Sequence, residues 1–175
     1  MKKLFSLLAA GLLFSACTTH ISTLEVPEID PDAPVLQTYS EVNIALIAID
    51  PDGAGDIGCG DTVELVTLPA SGTGNEAKVQ SALEELFGIT DQNYGESGLY
   101  NALYQSSLSV ENILWDGTNL AVDVTGSMTS GGVCDDPRIE AQILRTVAEN
   151  APTGAKITVA IDDEGITEYF NLSGL

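Results

Sequence analysis

Apolar residues in this chain come in short blocks, and most blocks have a readable period. The segment EVNIALIAID, residues 41–50, places Val42, Ile44, Leu46, Ile47 and Ile49 in a β-branched run with few polar breaks. That length and composition predict a strand buried on both faces. DPDGAGDIGCGD follows as a glycine-rich loop, and TVELVTLP over 62–69 alternates enough for a second strand, which Pro69 should end. TGNEAKVQSALEELFG predicts the clearest helix. Thr73 and Glu76 have the spacing of a capping box. Val79, Leu83, Leu86 and Phe87 share one face, Lys78, Glu84 and Glu85 fall mostly on the other, and Gly88 closes the element.

SLSVENILWDGTNLAVDVTG reads as a β-hairpin. Leu108, Val110 and Ile113 lead into the turn DGTN, and Leu120, Val122 and Val124 return on one face. Glu111–Asn112 interrupts the first arm, which predicts a bulge. In GGVCDDPRIEAQI, Asp136 is expected as N-cap with Pro137 in the first helical position, where a missing amide costs nothing. Ile139, Ile143 and Val147 then recur every four residues, Leu144 widens that face, and the helix should end near Asn150, before Pro152. AKITVAIDDEGITEYFNL gives two strands joined at DDEG. The predicted order is β-β-α-β-β-α-β-β: an α+β fold, its two helices packed on one face of a mixed sheet.

The first 40 residues differ in character from the rest of the chain. Residues 1–16 carry Lys2 and Lys3, then an apolar run, then small residues before Cys17. The uncharged run from Leu4 to Ala16 falls short of the roughly 20 residues a spanning helix needs. It fits the core of a secretory signal instead. FSAC resembles a bacterial lipobox, which makes Cys17 the expected lipidation site; Phe14 stands where leucine is usual, and an ordinary signal peptide is the alternative. The resemblance implies stable attachment to the membrane, with the protein on the outer membrane or the extracytoplasmic face. Thr18 and Thr19 supply no aspartate of the kind that retains such proteins at the inner membrane in enteric-type bacteria. Residues 17–40 hold prolines, scattered acids and no sustained period, and are expected to form a flexible tether. Residues 41–175 then make one domain, and the 44 % hydrophobic content of the whole chain is sufficient for a core.

Charge narrows the partners. With 26 acidic against 6 basic residues the net charge is −20, and removing Lys2 and Lys3 deepens it. No nucleic-acid partner is expected, because phosphate binding relies on lysine and arginine. Solubility in a salty medium, or an acidic surface that meets a basic partner, accounts for the sign.

Candidate chemistry is sparse. The sole histidine, His20, sits in the tether, which removes histidine-based triads and zinc sites from the domain. With Cys17 taken by lipid, Cys59 and Cys134 form an even pair in an exported protein, the pattern of one disulfide. Free buried thiols and a reactive thiol are the alternatives; the second is disfavoured because Asp135 and Asp136 adjoin Cys134 and Arg138 is its only nearby cation. Asp50, Asp52, Asp56 and Asp61 match positions 1, 3, 7 and 12 of a calcium loop, with Gly55 at position 6. Ala54 at position 5, the missing glutamate and the absence of a preceding helix favour an ordinary acidic turn, so no metal or cofactor is expected. Tyr94, Tyr100, Tyr104 and Trp115 are read as packing residues before a sugar platform. No pair of carboxylates stands out as a catalytic pair.

Several of these stretches together resemble a known family: GCGDTVELV after the first strand, ALEELF in the first helix, SGLYNALYQSSLSVENI, LAVDVTG, and GGVCDDPRIEAQILRTV. Their order and spacing, over roughly residues 42–172, are similar to the GerMN domain, named for a bacterial sporulation and germination protein. The resemblance implies no catalytic activity, a fold like the ring-building modules of envelope complexes, and a role in protein–protein contacts. One copy is present where the namesake has two, so a GerMN-domain lipoprotein with an envelope protein partner is the expectation. A peptidoglycan- or small-ligand-binding module is the alternative.

Overall fold

A computed structural model of the chain describes residues 37–50 and 52–170. Cys17, the leader and most of the tether lie outside the described residues. The elements are β1 (Thr38–Ala48), a 3-10 turn (Gly58–Gly60), β2 (Thr62–Thr73), α1 (Asn75–Phe87), β3 (Ser107–Trp115), β4 (Asn119–Ser127), α2 (Asp135–Asn150), β5 (Lys156–Ile161), β6 (Glu164–Gly165) and a helical turn α3 (Ile166–Tyr169). The class is α+β and the main order follows the sequence pattern. The strands, however, divide into two hydrogen-bonded sheets: an antiparallel pair β1–β2, and a mixed sheet ordered β3-β4-β5-β6. The mixed character comes from β4 and β5, which run parallel with α2 as their crossover.

One core serves both sheets. Ile44, Leu46 and Ile47 of β1, Val79, Leu83 and Leu86 of α1, Leu120, Val122 and Val124 of β4, and Ile139, Ile143 and Val147 of α2 belong to a single buried cluster. Helix α1 packs on β1 and β3, and α2 lies along β1 and against α1. Strand β1 is buried on both faces along Ile44–Ile47, but Ile49 lies past its end and is 49 % exposed.

The structure corrects several boundaries. β1 begins at Thr38 because the Tyr39 hydroxyl lies on α1, donating to the Ala77 carbonyl at 3.0 Å and lying 2.9 Å from Ser81 Oγ. The Tyr39 ring occupies the space a side chain at Gly72 would need. β2 runs through Pro69 to Thr73, since the proline sits at the irregular register opposite Glu41, where the ladder is already broken. Thr73 therefore belongs to the strand, and Gly74, at φ 103°, takes the N-cap of α1 without the expected capping box. Helix α2 starts two residues earlier than expected: Cys134 is the N-cap, Asp136 lies inside the first turn, and the Asp135 and Asp136 amides both donate to the Gly132 carbonyl. The β3–β4 hairpin has its register shift between Val110 and Asn112, where the bulge was expected. The last expected strand shrinks to two residues. Asp162 and Asp163, at φ 47° and 70°, turn the chain in a two-residue hairpin, and ITEY then coils as α3.

Candidate functional site

Three features built from these elements bear on function. The first surrounds the disulfide. Cys59 and Cys134 are bonded, with Cα atoms 5.6 Å apart, inside the usual span of about 4.4–6.8 Å. The bond fixes the loop after β1 to the start of α2. Beside it, Arg138 Nε donates to Asp61 Oδ2 at 2.6 Å, and Nη1 donates to Asp135 Oδ1 at 2.8 Å. Tyr100 completes the group, its hydroxyl donating to Asp135 Oδ2 at 2.9 Å and its ring lying under the guanidinium at 5.3 Å. Burial, and then the hydrogen bond to Asp135, raise the Tyr100 pKa above its ordinary value. The Arg138 guanidinium is also held above its ordinary pKa: burial opposes this, and the bonds to Asp135 and Asp61 outweigh it. Asp61 and Asp135 are nearly inaccessible, and both carboxylates are paired with the one Arg138 guanidinium.

The calcium reading fares similarly. Asp50 bends its carboxylate back to accept the Asp52 and Ala54 amides at 2.8 and 3.1 Å, an Asx-type turn. Asp61 turns the other way, toward Arg138 and the Asp50 amide. Among the described residues no three metal-ligating side chains converge.

The second feature is a polar row on α2. Gln142, Thr146 and Asn150 continue from Arg138 at four-residue spacing, next to the apolar row, and are buried. They meet the edge of β1 that β2 leaves unpaired. Asn150 binds both backbone groups of Asn43, Thr146 Oγ1 accepts the Ala45 amide at 2.9 Å, and Gln142 Nε2 donates to the Ala45 carbonyl at 3.1 Å. Tyr100 then exchanges two backbone bonds with Ile47, at 2.9 and 2.7 Å. Four helical residues rise about 6 Å and two strand residues about 6.7 Å, so the side chains of α2 keep step with the outward groups of β1. Helix and loop thus seal one edge of the hairpin without a third strand.

The third feature is what stays open. β2 pairs with β1 alone among the described strands. Its regular stretch Thr62–Leu68 carries a single charge, Glu64, and exposes Leu65. At the start of β2, Asp56, Ile57, Thr62 and Val63 face Ala141, Leu144, Arg145 and Ala148 of α2 across a groove of mixed polar and apolar lining. Arg145 stands at its rim, paired with Glu149 at 3.1 Å. β3, the outer strand of the other sheet, is broken by its bulge. The aromatic residues do not gather into a platform: Tyr100 and Tyr104 meet edge-on at 6.3 Å, and Trp115 packs against the core beside the β3–β4 turn.

The sequence pattern pointed to the disulfide pair and to Arg138 beside it. It placed Asp61 in a calcium-loop pattern, Tyr100 among packing aromatics and Asn150 only as a helix end, and it did not single out Gln142 or Thr146. The signal available was the uncharged polar row at four-residue spacing beside Ile139, Ile143 and Val147.

No protein-family model matches the chain, and no curated protein does. Among solved structures, the chain is similar to the tandem GerMN domains of the sporulation protein GerM from Bacillus subtilis, at a TM-score of 0.40 and 11 % identity, covering 80 % of this chain and 43 % of that one. It is also similar to a candidate lipoprotein from Clostridium perfringens, at a TM-score of 0.39 and 10 % identity, covering 71 % of this chain and 77 % of that one. The chain thus spans under half the length of the GerM tandem. Both are partial likenesses of fold, and neither bears on activity or partners.

Proposed function

We propose that the chain is a non-catalytic, lipid-anchored cell-envelope protein whose GerMN-like domain binds another protein along β2. The observation that carries this reading is the asymmetry of the β1–β2 hairpin. One edge is sealed by Asn150, Thr146, Gln142 and Tyr100, whereas the Thr62–Leu68 edge is unpaired and nearly uncharged. Unpaired edges are templates for strand addition, where backbone bonds supply affinity and neighbouring pockets supply selectivity. In so acidic a chain a neutral edge is also where a partner meets least repulsion. The envelope location rests on the leader and on Cys17. The saturation of Asp61, Asp135 and Arg138 by one another supports the non-catalytic reading.

A photo-crosslinking residue placed at Leu65 in living cells tests the proposal. Leu114, which is 60 % exposed on the outer strand of the other sheet, serves as control. A discrete protein adduct from position 65 and not from 114 is the expected result; equal or absent labelling at 65 removes the reading. Cys17→Ser is expected to abolish acyl labelling, and retained labelling rules out that anchor.

A further inference from the structure

We propose that the Cys59–Cys134 bond is a redox-sensitive clamp on the groove between β2 and α2. One wall of that groove includes Asp56, Ile57, Thr62 and Val63, and the other is the outer face of α2 through Ala141, Leu144, Arg145 and Ala148. The disulfide joins the two sides covalently, since Cys59 lies in the segment that carries Ile57 and Cys134 is the N-cap of α2. The Asp61–Arg138 ion pair is a second tie, placed at the root of β2, and Pro137 fills the space beside Gly58.

Segment 52–60 has little else to hold it. Its backbone bonds are internal or to the adjoining residues: Gly53 to Asp50, Gly55 to Gly60, Ile57 to Asp61, and Gly60 back to Ile57. Cys59 is exposed and keeps φ at 65°, a left-handed conformation that a side chain with a Cβ adopts reluctantly. Reduction frees Cys59 to leave it. Ile57 and Asp56 then move with the loop, while Asp61, still bound to Arg138, keeps β2 in register.

The chemistry is a two-electron exchange with a dithiol reductant. A thiolate of the reductant attacks the sulfur of Cys59, an exposed residue, and the Cys59–Cys134 bond breaks. Cys134 leaves as thiolate and takes a proton. The second thiol of the reductant, deprotonated, then attacks the mixed disulfide, releasing Cys59 and closing the reductant's own disulfide. Both protein thiols are thereby reduced and the reductant is oxidised by the same two electrons.

The test uses the full chain, oxidised or treated with dithiothreitol under native conditions, followed by hydrogen exchange. Exchange in 52–60 is expected to rise by about tenfold or more on reduction, with Ile44–Ile47 still protected. The Cys59→Ser/Cys134→Ser double variant should match the reduced pattern without reductant. The proposal is overturned if the bond resists dithiothreitol until the whole domain unfolds, or if exchange in 52–60 does not change. It is overturned as well if the double variant fails to fold, which would make the bond a global staple. The relevance of the groove to binding rests on the proposed function, but these readouts need no partner. A failed clamp therefore leaves the Leu65 crosslink standing, and a failed crosslink leaves the clamp.

Discussion

Asn150 grips both backbone groups of Asn43: its Oδ1 accepts the Asn43 amide at 3.0 Å, and its Nδ2 donates to the Asn43 carbonyl at 2.7 Å. A residue at the end of α2 thereby does for β1 what a neighbouring strand residue would do. The two lie 107 positions apart in the chain.

That pairing sets the first prediction. Asn150→Ala leaves two backbone groups of Asn43 without partners at a side chain that is 3 % exposed. Each unsatisfied buried group costs about 1–3 kcal/mol, so a loss of roughly 2–4 kcal/mol is expected in urea unfolding, allowing for some access of water to Asn43. Asn150→Asp keeps the shape but cannot donate to the carbonyl, and should recover only part of the loss. A change under about 0.5 kcal/mol in the alanine variant would show that the edge is not sealed as described.

The second concerns Arg138. Arg138→Met removes the only cation between Asp61 and Asp135 and strands two carboxylates in a buried setting. Breaking a buried ion pair from one side costs about 3–5 kcal/mol. Arg138→Lys should rescue little, because an ammonium cannot reproduce the fork that reaches both acids. Adding Asp61→Asn to Arg138→Met should return stability, since it removes one unpaired charge. A lysine variant as stable as the native protein in thermal unfolding would contradict the fork geometry.

The third is a pH effect with a defined sign. Burial, and then the bond to Asp135, raise the folded-state pKa of Tyr100 above its ordinary value of 10.0. The folded state then holds this proton more tightly than the unfolded chain. The stabilisation is complete below pH 10 and is lost as pH rises from there through the folded-state pKa. Unfolding midpoints should therefore fall more steeply above pH 10 in the native protein than in Tyr100→Phe. Parallel pH profiles for the two proteins would assign the loss to other tyrosines.

Much of this architecture is written in the sequence, because periodicity reports burial directly. The face of α1 through Val79, Leu83 and Leu86, the returning arm Leu120, Val122 and Val124, and the row Ile139, Ile143 and Val147 are all buried where the pattern places them. The β3–β4 bulge was legible too, since Glu111–Asn112 breaks the alternation. Local signals that depend on one residue's neighbours were less secure. The cap of α1 moved from Thr73 to Gly74 because pairing with β1 drew Thr73 into β2. Pro69 did not end β2, because the register was already irregular at Glu41.

The sequence alone determined the α+β class, both long helices, the β3–β4 hairpin and the burial of β1 on two faces, because apolar spacing carries that information along the chain. Tertiary structure alone decided what covers each strand. Whether β1 continues into a larger sheet or ends against a helix depends on Gln142, Thr146 and Asn150, and polar residues on a helix look solvent-facing until their partners are known. The same holds for the ITEY segment, whose composition suits a strand but which follows a two-residue β6 and coils after the tight turn at Asp162–Asp163. Periodicity records that a residue is removed from water; only the fold supplies the group that replaces the water.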